Sequence, residues 1–402
     1  MSQAASAAPL SSGTPRKAPI AAPTPLHSRI HVRTYLALQL VGAAFPLAGG
    51  FLVFGWRAVG VTAVVVFTAL ATAIFFQRIG WRGRQVKLIH VFWLAILVSL
   101  MLPAHLFAWG ALDGRIVWPL LPAAGITLTM LSWLLGGLGG QRVSPAVVTV
   151  LILFALFHGL LTPRYVLRAD RLFWGDLLRA DPTPRDSGSP WLSRWAGSPY
   201  DSTQTDPTGD VLLAYTSSQQ RPDRASLTMQ MLIRDRMPPL ENLIIAGQSS
   251  AIGSASAAAV ILGGLFLLHR GLIDFRIPLF GTLSAMAALL ILPVPIIITN
   301  TTTDWHWLAF RDHYLGWALD LTLVNYEILA SPLLLTLFYL ANTPGLRPLT
   351  HRGRSIFAIA LGIVSAIFML YASAAVGPYI ALLAVSLATP TLDRLIHPRT
   401  LV

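Results

Sequence analysis

Ten long apolar stretches, almost free of charged residues, recur along this chain, and they constrain its fold more than any other feature. They lie at 36–54, 58–76, 88–109, 116–135, 145–161, 251–268, 278–299, 323–340, 355–372 and 378–392. A helix needs about 20 mainly apolar residues to cross the hydrocarbon core of a bilayer. Backbone polar groups can be satisfied there only within helices or closed barrels. The period and length of these runs predict helices. Composition agrees: 54% of residues are hydrophobic and 11% are charged, where soluble domains carry about 25% charged residues. The expected fold is an all-α polytopic membrane protein of about ten transmembrane helices. Segment 305–321, with Arg311, Asp312 and Asp320, reads as interfacial.

The net charge is +12. In a soluble protein this would point to nucleic acid, but the basic residues are distributed as in a membrane protein. With the N-terminus inside, the inside segments hold 16 Lys and Arg, and the short outside loops hold only Arg57, Arg115 and Arg311. The positive-inside rule therefore places both termini in the cytoplasm. The lipid bilayer is the expected partner, and no nucleic acid is. There is no cysteine, which excludes disulfides and thiolate-held iron–sulfur clusters.

Residues 1–32, rich in Ala, Pro and Ser, read as a disordered cytoplasmic tail. A first membrane half of five helices runs over 33–161. Residues 162–241 form a polar extracytoplasmic loop, and a second five-helix half runs over 242–402. Five spans per half would make the two halves an inverted repeat.

The residues that could carry chemistry are few. Glu327 is the one acidic residue well inside an expected span. A carboxylate there is costly, about 2.5–3.5 kcal/mol on insertion scales, and so is a functional candidate; a hydrogen-bonded Glu near the outer interface is the equal alternative. His90, His105 and His158 lie in or beside spans without spacing that favours haem ligation over ordinary polar contacts. The run Gly136–Ala146 holds four glycines in five residues, then Ser144 and Pro145 as N-cap and first helical residue. Gly137, Gly139 and Ser144 are candidates for meeting an anion such as a flavin phosphate at a helix start; a tight inter-helix turn explains the same residues. The start of span six, with Ser250, Gly253, Ser254 and Ser256, offers donors to a ligand. It also makes a good cap and a closely packed helix, and composition favours the cap.

Taken together, the motifs resemble the RnfD protein of the Rnf electron-transport complex and the NqrB protein of the sodium-pumping NADH:quinone reductase. The landmarks occur in order over nearly all of the chain after Arg29. They are Phe54-Gly55-Trp56, Leu102-Pro103, the Gly136–Ala146 run and Ile252-Gly253-Ser254 leading to Asp274-Phe275-Arg276-Ile277-Pro278. Ala341-Asn342-Thr343-Pro344, then Pro348-Leu349-Thr350 with Gly353-Arg354, and finally Pro390 with Asp393-Arg394 complete the set. The departures fall on chemistry. The family esterifies FMN to a threonine in the loop after span five, and Val211 stands nearest that position. Ser254 and Ala255 replace a Glu and a Thr, and Thr343 replaces an Asp.

The resemblance implies a membrane subunit of an electron-transport complex in the bacterial inner membrane. It would couple electron transfer to ion movement beside other membrane and peripheral subunits. Covalent FMN is not expected; a non-covalent flavin, held by the Gly-rich and Ser-rich breaks, remains open. The family scaffold resembles that of urea transporters, so a small-solute transporter or channel is an alternative, as is a non-catalytic anchor for a redox partner. The sequence identifies no catalytic residue and no metal ligand of its own.

Overall fold

The computed structural model describes residues 32–79, 87–107, 111–112, 115–135, 142–162, 165–167, 202–204, 240–245, 250–299, 302–307, 316–343 and 345–396. The first half holds α1 (Val32–Phe54), α2 (Trp56–Arg78), α3 (Leu88–Met101), α4 (Leu120–Leu134) and α5 (Pro145–Leu161). A short helix α6 (Leu240–Ile245) and a 3-10 turn (Ile252–Ser254) lead into the second half. It contains α7 (Ala257–His269), α8 (Arg276–Ile291), α9 (Gly316–Ala330), α10 (Leu333–Leu335, running into the π-helical turn Thr336–Leu340), α11 (His351–Tyr371) and α12 (Gly377–Leu395). Among the described residues three antiparallel strand pairs join Ala111–Leu112 to Arg115–Ile116, Tyr165–Leu167 to Ser202–Gln204, and Pro293–Thr299 to Thr302–Trp307. All of the expected tail 1–32 except Val32, which opens α1, and most of the loop 162–241 lie outside the described residues.

Among the described residues three helices, Val32–Phe54, Trp56–Arg78 and His351–Tyr371, are long and apolar enough to cross a membrane, a bent pair, Leu321–Ala330 with Leu333–Leu340, would make a fourth, and five shorter apolar helices accompany them. Large apolar side chains such as Phe67, Leu134, Leu156, Leu262 and Leu387 are more than half exposed around the outside. Water would not tolerate that many; acyl chains would. The chain is thus a helical, polytopic membrane protein. α3 is buried nearly all round, from His90 to Met101 with Phe92 excepted, as befits a helix that is apolar on every face. It forms the centre of the first half.

Several expected spans differ from the helices found. In the run 88–109 the α-helix ends at Met101, because Pro103 has no N–H to donate and forces Leu102 into extended backbone (ψ 147°), and a 3-10 turn, Ala104–Leu106, follows. The run 251–268 becomes helical only at Ala257. The run 278–299 stops at Ile291, and Pro293, Pro295 and three successive isoleucines turn the rest into a β-strand. Of the segment read as interfacial, 305–321, the described residues are Trp305–Trp307, in a strand, and 316–321, the start of α9. The run 323–340 is two limbs bent by 62° at Ser331-Pro332. The turn between α1 and α2 is a single residue, Gly55 at φ 59°, which only glycine adopts without strain.

The second and fourth helices of each half cross at a glycine. A Cβ at Gly125 of α4 would meet Thr68, Ala69 and Val65 of α2; one at Gly362 of α11 would meet Ser284, Gly281 and Ala285 of α8. The Thr129 hydroxyl adds a hydrogen bond across the first crossing, to the Ala69 carbonyl at 3.0 Å. Small residues at such crossings let backbones approach and gain dispersion contact where lipid supplies no hydrophobic drive.

Candidate functional site

The two halves meet where both lose their helices. After α3 ends, Pro103 pairs with Ala251 as an isolated antiparallel bridge, and the Ile252 N–H donates to the Leu102 carbonyl at 3.0 Å. Each interruption thereby satisfies polar backbone that the other exposes, as irregular backbone inside a membrane protein requires. Gly253 makes the approach possible. A Cβ there would stand 2.8 Å from both the Cβ and the carbonyl oxygen of Leu100.

The serines of this segment are used locally. Ser256 is the N-cap of α7: its Oγ accepts from the Ala259 N–H at 3.3 Å and donates to the Ile244 carbonyl at 3.1 Å. The hydroxyls of Ser250 and Ser254 donate to the Ala251 carbonyl at 3.2 and 3.3 Å. The cap that composition favoured is formed. Ser144 occupies the N-cap position of α5 with Pro145 behind it, yet its buried hydroxyl makes no capping bond and has no partner among the described residues. Gly137 and Gly139 lie outside the described residues, as does Val211.

A cavity borders the bridge. It offers about 30 Å³ to water-sized occupants and is lined by Met101, Pro103, Val150, Phe154, Leu161, Ser250, Ala251, Ser254, Ala330, Pro332, Ala374, Ala375 and Tyr379. Contributions come from α3, α5, the 250–254 segment, the α9–α10 bend and the α11–α12 turn, so both halves share it. No lining residue carries a charge. Tyr379 is buried and its hydroxyl has no hydrogen-bond partner among the described residues. A site of this size and character can hold a small neutral molecule or water, which needs roughly 10–15 Å³ of such space. It does not fit a flavin, since pockets for ligands of that class run from about 300 Å³. Of the residues singled out from the sequence, Ser250 and Ser254 line the cavity. Gly253 and Ser256 flank it, and Ser144 lies further back along α5, whose Val150, Phe154 and Leu161 reach the cavity instead.

Glu327 is buried on α9, one turn before the bend. The His105 ring is bonded through Nε2 to the Leu160 carbonyl at 2.8 Å, and His158 packs edge-on against Phe154. Among the described residues no group of His, Cys, Asp or Glu is arranged to hold a metal ion.

The remaining landmarks converge at the other end of the second half. Arg354 Nη1 donates to Asp274 Oδ2 at 2.9 Å, its Nε to the Pro348 carbonyl at 3.0 Å and its Nη2 to the Leu349 carbonyl at 3.2 Å. Asp274 Oδ1 accepts from the Arg276 N–H. Asn342 Oδ1 accepts from the Asp274 N–H while its Nδ2 donates to Leu337 and Phe338 carbonyls. Asp393 Oδ1 accepts from the Leu349 N–H, and the Thr350 hydroxyl caps α11 at Gly353. Thr343 returns its hydroxyl to the Leu340 carbonyl at 2.8 Å. Burial pushes the Asp274 carboxyl up, but the hydrogen bonds of Arg354 and the Arg276 amide, with the charges of both arginines, outweigh it and hold its pKa below the ordinary aspartate value. This clasp ties the α7–α8 turn to the start of α11 and the end of α12. The sequence motifs contain its members but do not pair them. The signal that could have done so is scarcity, since Asp274 and Asp393 are the only acidic residues among the second half's inside segments.

Comparison with known proteins gives one consistent answer. Residues 20–402 match the model of the NQR2, RnfD, RnfE family. The chain is 22% identical over 374 residues to the D subunit of the Na(+)-translocating ferredoxin:NAD(+) oxidoreductase complex of Acetobacterium woodii, covering 93% of this chain and 91% of that one. It is 24% identical over 398 residues to the D subunit of an ion-translocating oxidoreductase complex of Aeromonas hydrophila, covering 93% and 95%. The D subunit of the corresponding complex of Pseudomonas aeruginosa is 26% identical over 198 residues, 48% of this chain and 52% of that one.

Proposed function

This chain belongs to the NQR2, RnfD, RnfE family, and from that premise we propose that it is the D-type membrane subunit of a bacterial inner-membrane complex that couples electron transfer to ion translocation. The observation that carries this reading is the alignment of nearly the whole chain with such subunits. The family's Gly, Pro and Asp–Arg landmarks serve as structural joints: the Leu102–Ile252 contact and the Asp274–Arg354 clasp. Its neighbours would be the other membrane and peripheral subunits of the complex.

The reading includes ten spans in two inverted five-helix halves, with both termini in the cytoplasm. The matching glycine crossings of α2 with α4 and α8 with α11 support the repeat, as do the interrupted segments that meet between the halves. It assigns no covalent FMN to the chain, because Val211 stands where the family has its threonine. A non-covalent flavin would need a place other than the junction. What the chain's described residues supply is an uncharged cavity large enough for water at the junction of the two halves.

The test is deletion of the chain from its native membranes. Loss of redox-driven ion uptake into vesicles, together with failure of the other subunits to co-purify, is the expected result. Full coupling in its absence overturns the proposal. The cavity at the junction also favours a second reading, passage of a small neutral solute. Stopped-flow light scattering on liposomes holding the purified chain separates the two: solute-specific shrinkage faster than in empty liposomes would favour the second.

A further inference from the structure

The rim of the second half beside the clasp carries guanidinium groups that make no hydrogen bond or ion pair within the clasp, although the Arg276 amide and charge support Asp274. The α7–α8 turn presents Arg270 and Arg276, each laid over an aromatic ring: the Arg270 guanidinium carbon is 5.8 Å from the Phe266 centroid, and that of Arg276 is 5.7 Å from Phe275. Both are cation–π contacts, and they favour holding the two guanidinium groups at the turn. Neither arginine forms a salt bridge with another described residue. The nearby carboxylates are turned inward, Asp274 to Arg354 and Asp393 to the Leu349 amide. Exposed arginines continue the rim at Arg352 and Arg394.

Apolar side chains are interleaved with these charges. Phe275 is 50% exposed and Leu279, one turn on, 48%; Leu349 and Leu395 are 78% and 79% exposed. Over the turn itself there is room, since no protein atom lies within 4 Å of where a Cβ on Gly271 would be. Forked cations directly above exposed hydrocarbon match a phosphate that carries acyl chains. An acidic protein surface would have to desolvate its carboxylates beside the same apolar groups, so the lipid is the better fit.

We propose that the α7–α8 turn, with Arg270 and Arg276 held over Phe266 and Phe275, is a binding site for the phosphodiester headgroup of an anionic phospholipid. The planar guanidinium forks take the phosphate oxygens, and the acyl chains lie along Phe275 and Leu279. The site rests on the chain's residence in a bilayer and not on its redox role, so failure of the proposed function would leave it standing.

The experiment is lipid competition on the purified full-length chain, followed by native mass spectrometry with phosphatidylglycerol against phosphatidylcholine. The wild-type protein should retain phosphatidylglycerol preferentially. A charge-assisted hydrogen bond to a phosphate oxygen contributes on the order of ten-fold, so R270Q/R276Q should lose on the order of thirty-fold or more of the preference. The control is R33Q/R78Q, the same charge change at basic helix ends of the first half, which should keep it. Equal loss from both pairs would reduce the effect to bulk charge and overturn the site. Displacement of the lipid by glycerol phosphate at similar concentration would assign the arginines to a soluble anion, and it too overturns the proposal. If R270Q/R276Q fails to insert, R270K/R276K keeps the charge while removing the forks. That variant should still lose the preference several-fold, and an unchanged preference rejects the proposal.

Discussion

Replacing Arg354 with Met removes the centre of the clasp while keeping most of its volume. Three hydrogen bonds disappear: one to the Asp274 carboxylate at 2.9 Å and two to the Pro348 and Leu349 carbonyls. Asp274 is left with the Arg276 amide, the Arg276 charge and His351 Nδ1 at 3.6 Å, and with little access to water, its side chain being 10% exposed and that of Arg354 18%. Removing one partner of a buried pair costs about 3–5 kcal/mol, and the remaining access to water brings the expectation to about 3 kcal/mol. Asp274→Asn alone should cost less, because a neutral amide tolerates the site better than an orphaned carboxylate. The double variant should then be more stable than the sum of the singles by about 2 kcal/mol. The chain has 12 tryptophans and no cysteine, so intrinsic fluorescence during denaturation in detergent is the assay, and thiol-reactive dyes are of no use. The pH dependence has a definite sign. The folded pKa of Asp274 is depressed, so its stabilisation is complete above the unfolded value and is lost as pH falls through the folded one. The gap between wild type and Arg354→Met should be level from about pH 8 to about pH 6 and shrink through the carboxylate range. Additivity of the two substitutions within about 0.5 kcal/mol, or a gap as large at acid pH as at neutral pH, would refute the clasp; the part owed to the two carbonyl bonds should remain.

Gly253→Ala should destabilise the junction by about 1–3 kcal/mol, because the new methyl meets the backbone of Leu100 and cannot be relieved by a rotamer change; unaltered thermal stability would show that the two halves approach less closely. Ser256→Ala removes the N-cap of α7 and should cost about 1 kcal/mol in the same assay; no cost would mean that solvent or another group caps the helix. Co-expression with a flavin transferase followed by a denaturing gel should leave no fluorescent band, given Val211; a retained band would place covalent FMN on another threonine of the loop. A reporter fused after Val402 should be active only on the cytoplasmic side, and activity outside would require an odd number of spans.

The sequence alone determined the solvent and the kind of fold. Charge is so scarce, and apolar runs so long, that only helices in a bilayer satisfy the backbone, and the landmark glycines, prolines and Asp–Arg motifs were enough to place the family. These properties are legible because they are local: hydropathy is a sum over neighbours, and a proline acts on its own turn. The cap at the serines of 250–256 is legible on the same ground, since Ser256 and Ala259 are three residues apart.

Tertiary structure decided where those helices stop and what the motifs are for. Leu102-Pro103 looks like an ordinary span end until the Ile252 amide arrives from about 150 residues away to complete its hydrogen bond. Likewise 278–299 is apolar enough for a span, but its second part pairs with Thr302–Trp307 as a hairpin. Asp274 and Arg354 lie 80 residues apart, and no period or propensity connects them. Tyr379 escapes notice in the sequence because a tyrosine in an apolar run gives no sign of whether its hydroxyl will find a partner. In each case the outcome depends on which distant backbone or side chain satisfies a polar group shielded from water. That is a property of the packed molecule, and one-dimensional order does not carry it.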